Sequence, residues 1–380
     1  MTLDREKLVG QVFLEIAEGI KTGSFKERVK IGLTTKGSEH GEIELLKAAK
    51  LAKQKYSNFE IILIGIEKLD GFKCFGAESL EECHKVMLEL LEKKEIQGCV
   101  TMHFDFPIGV STAGKIICPS SGKELILSTT TGTSDTDRVH AMVLNAISGI
   151  AAAKSQGIEN PTLGILNIEG ARSAEIILKK LNQNGYPISF GASARQDGGA
   201  VMRGNDLMTG SCSVMVCDSL TGNLLVKIFS SFVSGGSYEI LGAGYGPGIS
   251  KDYDKLINII SRASGAPLIA EALSYCAKCA ENNILEIAKS EFKKAEDAGL
   301  SKLLEKREIK EEIINKPGKK VVTYSIAGID IMELDNAVNS LWKENIYAES
   351  GMGCTGPVIL VNEDDGKAAD KILKDTEFKI

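Results

Sequence analysis

The residue best suited to covalent chemistry is Cys354, which lies in the glycine-rich stretch GMGCTGP. A thiolate can carry an acyl group as a thioester, and the small neighbours Gly351 and Gly353 leave the sulfur open to a substrate. The backbone N–H groups of Gly353, Cys354 and Thr355 could form an oxyanion hole for a tetrahedral intermediate. The alternative is a small apolar cysteine in a glycine turn. The residues alone leave both interpretations open.

A second group of polar residues follows a predicted buried strand in the run VMVCDSLTGNLLVKIF. The strand should end at Asp218, and a helix should present Lys227. A turn between them carries Thr221, Gly222 and Asn223. An aspartate, an asparagine and a lysine gathered at one strand end suit a phosphate or another anionic acyl acceptor. In the alternative, Asp218 only caps the helix and Lys227 is only solvated.

His40 lies in another glycine-rich loop, TTKGSEHGE at residues 34–42. Glycine lets backbone N–H groups converge on an anion, so His40 is our acid–base candidate. His103, two residues before Asp105, is the second choice. None of the glycine-rich loops matches the GxGxxG or GxxxxGK[ST] nucleotide motifs. Loops of the same character occupy residues 128–138, 217–223 and 242–248.

The remaining cysteines are weaker candidates. Cys118, in ICPSSGK, is predicted to be exposed and is the second choice for a reactive thiol. Cys276 and Cys279 form a CxxC pair, but the chain has no second pair and no paired histidines to complete a zinc site. We therefore predict no metal site.

Short apolar runs alternate with helical runs along most of the chain, which predicts a largely parallel sheet flanked by helices. The expected fold is α/β, with three α/β/α layers and two lobes. Ligands of such sheets collect at the carboxyl ends of the strands, so the polar loops should meet there. The predicted strands occupy residues 28–34, 59–65, 98–102, 124–128, 162–168 and 212–217.

Composition excludes several classes of function. A hydrophobic content of 43% and a charged content of 25% are those of a soluble globular protein. The net charge of −6 provides no basic surface for nucleic acid. The longest clearly apolar stretch without a charged residue, 139–153, is shorter than the roughly 20 residues of a membrane span. We expect no membrane contact and a cytoplasmic location.

Residues 281–320 differ from the rest because 19 of these 40 residues are charged. They are predicted to form solvated amphipathic helices or, alternatively, an arm that docks a partner. We therefore predict an α/β core over 1–280, a charged helical arm over 281–320, and a C-terminal α/β portion over 321–380 that carries Cys354 and completes the core.

Several motifs resemble those of the phosphate acyltransferases, which make acyl phosphate from acyl carrier protein in lipid synthesis. The loop GSEHG at 37–41 resembles the family's Gly-Gly-Asp-His-Gly loop. This resemblance implies an isocitrate-dehydrogenase-like, phosphate-acyltransferase-like fold. The loops at 102–110 and 128–135 depart from the family pattern, and about 80 residues separate Leu268 from the closing strand. The other matching residues are Leu166-Asn167, Asp218, Thr221-Gly222-Asn223, Lys227 and Gly265-Ala266-Pro267-Leu268.

The whole chain is more similar to the alpha subunits of component C of the glycine reductase complex, a family that carries the GMGCTGP segment near its C-terminus. That resemblance implies that Cys354 holds an acetyl group as a thioester and that phosphate releases it as acetyl phosphate. It also implies two partners, a ketosynthase-like beta subunit and a separate selenoprotein. We further expect a homo-oligomer and no cofactor.

Two rival functions stay open. The first is an acyl-carrier-protein:phosphate acyltransferase, which would need an acyl tunnel and would not need Cys354. The second is a non-catalytic scaffold whose charged arm holds a catalytic subunit. The sequence does not decide between them or identify the amine (glycine, sarcosine or betaine) that would feed the complex.

Overall fold

The computed structural model describes residues 28–193, 199–305, 315–353 and 356–376, together with the single residues Phe13, Ile16, Gly19 and Phe378. Twelve strands of these ranges form one large mixed sheet and three form a small one. The strands of the large sheet are β1 Val29–Thr34, β2 Phe59–Ile64, β3 Lys73–Phe75, β4 Gly98–Thr101, β5 Val110–Ile117, β6 Glu124–Thr133, β7 Thr162–Leu166, β8 Ser189–Phe190, β9 Val201–Met202, β10 Val214–Val216, β11 Gly246–Ile249 and β12 Ile257–Ile259.

The helices cover both faces of this sheet. They are α1 Glu42–Lys55, α2 Leu80–Glu92, α3 Arg138–Ser155, α4 Ala171–Gln183, α5 Gly204–Thr209, α6 Ser219–Ser231, α7 Ala266–Glu281, α8 Ile284–Asp297 and α9 Leu300–Leu303. Residues of α1, α3, α4, α7 and α8 share one buried apolar cluster, and residues of α2, α5 and α6 share another on the opposite face. The predicted three-layer α/β/α architecture is therefore confirmed.

The large sheet has two parallel halves that run in opposite directions. Its strand order is β3-β2-β1-β4-β12-β11-β5-β6-β10-β7-β8, with β9 beside β7. Strands β1 to β4 and β12 run parallel to one another, as do β6, β7, β8, β9 and β10. The pairs β12–β11, β11–β5 and β5–β6 are antiparallel. Three reversals place the carboxyl ends of β1 and β10 at opposite edges of the sheet.

The C-terminal part builds a separate antiparallel sheet with its own core. Its strands are β13 Tyr324–Ala327, β14 Ala348–Gly353 and β15 Gly356–Val361, in the order β13-β15-β14, and its helices are α10 Leu334–Lys343 and α11 Gly366–Asp375. Ile326, Leu341 and Ile359 are buried together there, apart from the two clusters of the large sheet. One contact to the large unit is the Ser173 backbone N–H, which lies 3.4 Å from an Asp330 carboxylate oxygen.

The segment predicted to be a charged arm contains α8, which packs along α3 with Phe292 buried. Its Glu291 carboxylate is 2% exposed and accepts hydrogen bonds from Tyr186 and Lys294, at 3.1 and 2.8 Å. The boundaries at residues 280 and 320 stay predictions. Within the described ranges, no helix is both long and apolar enough to cross a bilayer.

Candidate active site

Asp218 is the N-cap of helix α6. Its carboxylate accepts a hydrogen bond from the Thr221 backbone N–H at 3.0 Å and another from the Thr221 hydroxyl at 2.7 Å. The residues predicted to form a turn before this helix, Thr221 to Asn223, therefore lie in the helix itself. The reason is that an aspartate cap starts α6 at Ser219, four residues earlier than Asn223. Because the Asp218 carboxylate and the Thr221 hydroxyl are hydrogen-bonded to each other, neither side chain is free to bind an anion in this arrangement.

Gly222 is a packing residue in the structure. A Cβ at this position would lie 1.7 Å from the Thr129 carbonyl oxygen and 3.1 Å from the Cys217 sulfur. Such distances leave no room for a side chain, so glycine is what allows α6 to approach β6 closely.

Lys227 lies two turns further along α6, about 9 Å from Thr221 at the helical rise of 1.5 Å per residue. Its ammonium is 3.8 Å from a Glu239 carboxylate oxygen, and its side chain is half exposed. Burial alone would lower the pKa of Lys227, but the neighbouring Tyr245 hydroxyl and Glu239 carboxylate outweigh it and raise that pKa. Asn223 precedes Lys227 by four residues and shares its helix face. The structure therefore keeps Asn223 one turn from Lys227 and separates Lys227 from Asp218 by about two and a half helical turns.

His40 immediately precedes helix α1, at the carboxyl end of β1. Its Nε2 lies 3.1 Å from the Ala263 carbonyl oxygen, and its ring packs edge-on to the Tyr238 ring with centroids 5.0 Å apart. The Glu39 backbone N–H donates to the Arg262 carbonyl oxygen at 2.9 Å, which ties this loop to the loop after β12. The Tyr238 hydroxyl in turn hydrogen-bonds to a buried glutamate of α1.

Together these contacts bring five residues to one region of the surface, here called the α6–β1 cleft: His40, Lys227, Tyr238, Glu239 and Arg262. His40 touches Tyr238, and the next residue, Glu239, pairs with Lys227. Arg262 is exposed on the adjoining loop. Lysine, arginine and histidine around one opening are suited to an anionic oxygen substrate such as phosphate. The cleft brings together two of the predicted residues, His40 and Lys227.

The cleft forms because α6 runs back across the sheet. It starts after β10 at one edge, and its second half reaches the opposite edge, where β1, β4 and β12 end. Sequence reasoning missed Tyr238, Glu239 and Arg262, since no motif marks them and only the fold brings them to Lys227.

A second histidine lies at the same edge of the sheet. The Nε2 atom of His84 is 3.1 Å from the Thr101 hydroxyl, which accepts a hydrogen bond from Thr34 at 2.9 Å. Burial lowers the pKa of His84, and the nearby His103 lowers it further, so the imidazole is neutral at pH 7. The His103 imidazole lies 3.2 Å from an Asp105 carboxylate oxygen.

Two of the other predicted anion loops serve the fold. In the loop at 242–248, Gly242, Gly244 and Gly246 have positive φ angles, and a Cβ at Gly246 would lie 1.9 Å from the Ala113 carbonyl oxygen. In the loop at 128–138, the Thr130 hydroxyl is bonded to the Thr112 hydroxyl and the Tyr245 carbonyl oxygen, both at 2.6 Å. Their glycines and hydroxyls are used in packing strands together.

The structure treats the two thiol candidates, Cys354 and Cys118, differently. Cys354 and Thr355 lie outside the described residues. The strands on either side pair as a hairpin in which Gly353 opposes Gly356, so these two positions connect β14 to β15. The prediction that Cys118 is exposed is wrong: it is fully buried beneath β5 and β6, and burial raises the pKa of its thiol.

The CxxC pair shows no sign of metal binding. Burial raises the pKa of the Cys276 thiol, and it raises that of Cys279 to about 12. In the described part of the chain, no group of three histidine, cysteine or acidic side chains is placed to hold a metal ion.

A cavity of about 330 Å³ is lined by residues of α1 and α7, and by Ile240 and Leu241, which directly follow Glu239 of the α6–β1 cleft. Its wall is mostly apolar and includes the buried Lys115, whose ammonium is 3.0 Å from a Glu124 oxygen. Lys55 and Glu271 form the second ion pair of the wall. Lys115 is buried and 3.0 Å from its carboxylate partner, whereas Lys227 is half exposed and 3.8 Å from its own, so this cavity is less suited to phosphate than the cleft.

Comparisons with known proteins agree with the motifs. A model of the fatty acid synthesis protein family matches residues 29–360. The chain is 53% identical over 378 residues to the glycine/sarcosine/betaine reductase complex component C subunit alpha of Peptoclostridium acidaminophilum, with 98% of each chain covered.

More distant relatives are phosphate acyltransferases. That of Caldanaerobacter subterraneus subsp. tengcongensis is 22% identical over 240 residues, which are 52% of this chain and 69% of the relative. That of Brevibacillus brevis is 32% identical over 112 residues, or 29% and 31% of the two chains. The resemblance inferred from the motifs is confirmed.

Proposed function

This chain belongs to the fatty acid synthesis protein family, alongside the component C alpha subunits of glycine/sarcosine/betaine reductase complexes, and from that premise we propose that it transfers an acetyl group from a cysteine thioester to phosphate. The observation that carries the proposal is the α6–β1 cleft. The half-exposed Lys227 pairs with Glu239, and His40 packs against the adjacent Tyr238, which supports an anion site at the edge where β1 and β4 end.

In the proposed reaction, the Cys354 thiolate first accepts an acetyl group and holds it as a thioester. Phosphate binds in the cleft against Lys227, with Asn223 on the same helix face. Because Ser173 follows β7 and contacts Asp330, that contact joins the C-terminal unit to the edge where β7 and β10 end, so the thioester must be carried to the cleft from that edge or be supplied by another copy of the chain. A phosphate oxygen attacks the thioester carbonyl carbon, and the N–H groups of Gly353 and Thr355 receive the oxyanion. Collapse of the intermediate breaks the C–S bond, releases acetyl phosphate and returns the thiolate. His40 takes the proton that phosphate loses.

The partners follow from the resemblance to component C alpha subunits, one of which the chain matches over 98% of its length. We propose that the acetyl unit arrives through a ketosynthase-like beta subunit, after a selenoprotein component has delivered the two-carbon unit. The chain would then act as the acyl-transfer subunit of a cytoplasmic complex. We also propose that the chain forms a homo-oligomer.

The direct test is to locate the acetyl group. The full chain is incubated with labelled acetyl phosphate, digested and analysed by mass spectrometry, and the label should lie on Cys354. Cys354→Ala should abolish arsenolysis of acetyl phosphate, which measures the reverse acyl transfer. Cys118→Ala is the control, because a buried thiol of raised pKa takes no part. If the Cys354→Ala variant catalyses arsenolysis as fast as the wild type, the proposed thioester intermediate is refuted.

Lys227→Met tests the phosphate site separately, because methionine keeps an apolar stem and removes the charge. We expect the KM for phosphate to rise by about 10- to 100-fold, the loss of one charge-assisted contact. Acetylation of Cys354 by a thioester donor should continue in this variant.

A second candidate is transfer from acyl carrier protein to phosphate, which the phosphate acyltransferase relatives favour. That reaction uses the same cleft but needs no thiol. Activity of Cys354→Ala with an acyl carrier protein thioester, together with no activity on acetyl phosphate, would select it. A non-catalytic scaffold would show neither activity.

A further inference from the structure

Glu239 is the one carboxylate among the five residues of the α6–β1 cleft, and the fold holds it in place. The residue is 4% exposed, and its Oε2 atom accepts a hydrogen bond from the Ser264 hydroxyl at 3.3 Å. Its backbone is joined to the same loop. The Gly265 N–H donates to the Glu239 carbonyl oxygen at 2.8 Å, and the Glu239 N–H donates to the Ala263 carbonyl oxygen at 3.4 Å. Side chain and backbone together therefore keep this carboxylate from retreating when an anion enters.

The second oxygen of the carboxylate faces Lys227, the residue proposed to bind phosphate. The Oε1 atom of Glu239 lies 3.8 Å from the Lys227 ammonium, which is beyond hydrogen-bond distance. Because the Lys227 side chain is half exposed, an anion can reach its ammonium from solvent. Such an anion lies beside Oε1, and a carboxylate oxygen in that position can accept a hydrogen bond from it.

We infer that Glu239 makes the cleft selective for oxyanions that carry a proton, namely hydrogen phosphate and arsenate, and excludes sulfate. This inference rests on the proposed phosphate site, whose specificity it explains. A carboxylate only accepts hydrogen bonds, so the P–OH group of hydrogen phosphate can donate to Oε1. Sulfate has a similar size and the same tetrahedral shape, but it carries no proton at neutral pH. It would therefore place a charged oxygen against Oε1 with no hydrogen between them.

The other charged groups of the cleft do not distinguish the two anions. The side chains of Lys227 and Arg262 are donors only, and donors bind the oxygens of sulfate and phosphate alike. The Tyr238 hydroxyl is already hydrogen-bonded to the buried Glu44. Discrimination needs a fixed acceptor at the point where the wrong ligand has no hydrogen, because that ligand then meets an uncompensated like charge. Glu239 meets this requirement, since its loop holds it in place.

The direct test measures the binding of inorganic phosphate, arsenate and sulfate to the full chain by isothermal titration calorimetry at neutral pH. The wild type should bind phosphate and arsenate with similar dissociation constants. It should bind sulfate about 100-fold more weakly, the loss of one hydrogen bond to a charged group. Glu239→Gln keeps an acceptor for Ser264 and removes the charge, so the preference for phosphate over sulfate should fall to about 10-fold or less.

Glu124→Gln is the matched control for the loss of one negative charge. Glu124 is also the carboxylate of a lysine ion pair, 3.0 Å from Lys115, but it lies in the wall of the cavity and outside the cleft. Its variant should prefer phosphate over sulfate as strongly as the wild type does. Lys227→Met should weaken the binding of phosphate and arsenate together, which assigns the measured binding to the cleft.

Three results overturn the inference and leave the proposed acyl transfer intact. The first is a wild-type chain that binds sulfate as well as phosphate, a comparison that needs no variant. The second is a folded Glu239→Gln variant with the selectivity of the wild type. The third is a Glu239→Gln variant that binds both anions more tightly by the same factor, because Glu239 is then only a counter-ion of Lys227. A wild-type chain that binds no phosphate contradicts the phosphate site and this inference together.

Discussion

Replacing Gly222 by alanine tests whether this glycine serves the packing of α6 or the binding of phosphate. The added Cβ would lie 1.7 Å from the Thr129 carbonyl oxygen and 2.8 Å from its carbonyl carbon. Close carbon-to-oxygen contacts in proteins are about 3.3–3.6 Å, so α6 must retreat by roughly 1.6 Å. The obstacle is backbone and cannot rotate away as a side chain could.

The magnitude follows from two opposing effects. Overpacking typically lowers the free energy of unfolding by about 1–3 kcal/mol. We place a clash with fixed backbone at the upper end of this range, about 3 kcal/mol. Alanine recovers about 1 kcal/mol of helix propensity, which leaves a loss of about 2 kcal/mol. Unfolding entropy is about 2.1 cal/mol/K per residue, so over 380 residues the melting temperature should fall by about 2–3 °C.

Thermal and urea unfolding of the two proteins measure this loss. Gly204→Ala is the control, because Gly204 is also helical and an added Cβ would meet nothing within 4 Å. That variant should be neutral or gain up to about 1 kcal/mol. If Gly222→Ala is as stable as the wild type and loses only phosphate affinity, the packing argument is refuted and the glycine serves the ligand.

Two further predictions concern titrating groups. Burial alone would raise the pKa of Glu291, but hydrogen bonds from Lys154 and Lys294 outweigh it and hold that pKa below 4.5. The stability that Glu291 contributes is present above about pH 4.5 and is lost as pH falls through its folded-state pKa. Glu291→Gln should therefore lower the free energy of unfolding by about 2–3 kcal/mol at pH 7. The urea midpoint of this variant should also change less with pH on the acid side than that of the wild type. A variant whose urea midpoint depends on pH as steeply as that of the wild type would contradict this prediction. Iodoacetamide at about pH 8 should label Cys354 and Cys74 first, because the seven other cysteines are buried and burial raises their pKa values. Labelling of a buried thiol at the rate of Cys354 would contradict this.

Six parallel strands of the large sheet were predictable because each is a short apolar run between turn signals: β1, β2, β4, β6, β7 and β10. The two- and three-residue strands β3, β8 and β9 were not predicted, nor were β5, β11 and β12. Strand β5, VSTAGKII, carries three hydroxyl or charged side chains, and GPGI and INI are too short and too rich in glycine or asparagine to show a pattern. These three strands provide the antiparallel pairings that reverse the sheet. Without them, every strand end appears to lie at one edge.

Because β5, β11 and β12 were not predicted, the sequence could identify only some of the residues that meet at the site. It selected His40 and Lys227, which the cleft does bring near each other. It also joined Asp218 and Thr221 to them, because in an all-parallel sheet their loops would converge. The reversal at β11 and β5 sends Asp218 to the opposite edge. Tyr238 and Glu239 enter the site through tertiary contacts, for which one sequence offers no periodic signal.

Helix α6 therefore determines two features through two of its faces. Gly222 fits against Thr129 on the buried face, and Lys227 reaches the cleft on one flank. A helix moves nearly as a rigid body, so a retreat of 1.6 Å at Gly222 carries Lys227 with it. Misplacement by about 1 Å can cost 100-fold in rate, whereas the stability loss is only about 2 kcal/mol. Gly222→Ala should thus lower phosphate transfer more than its melting temperature suggests.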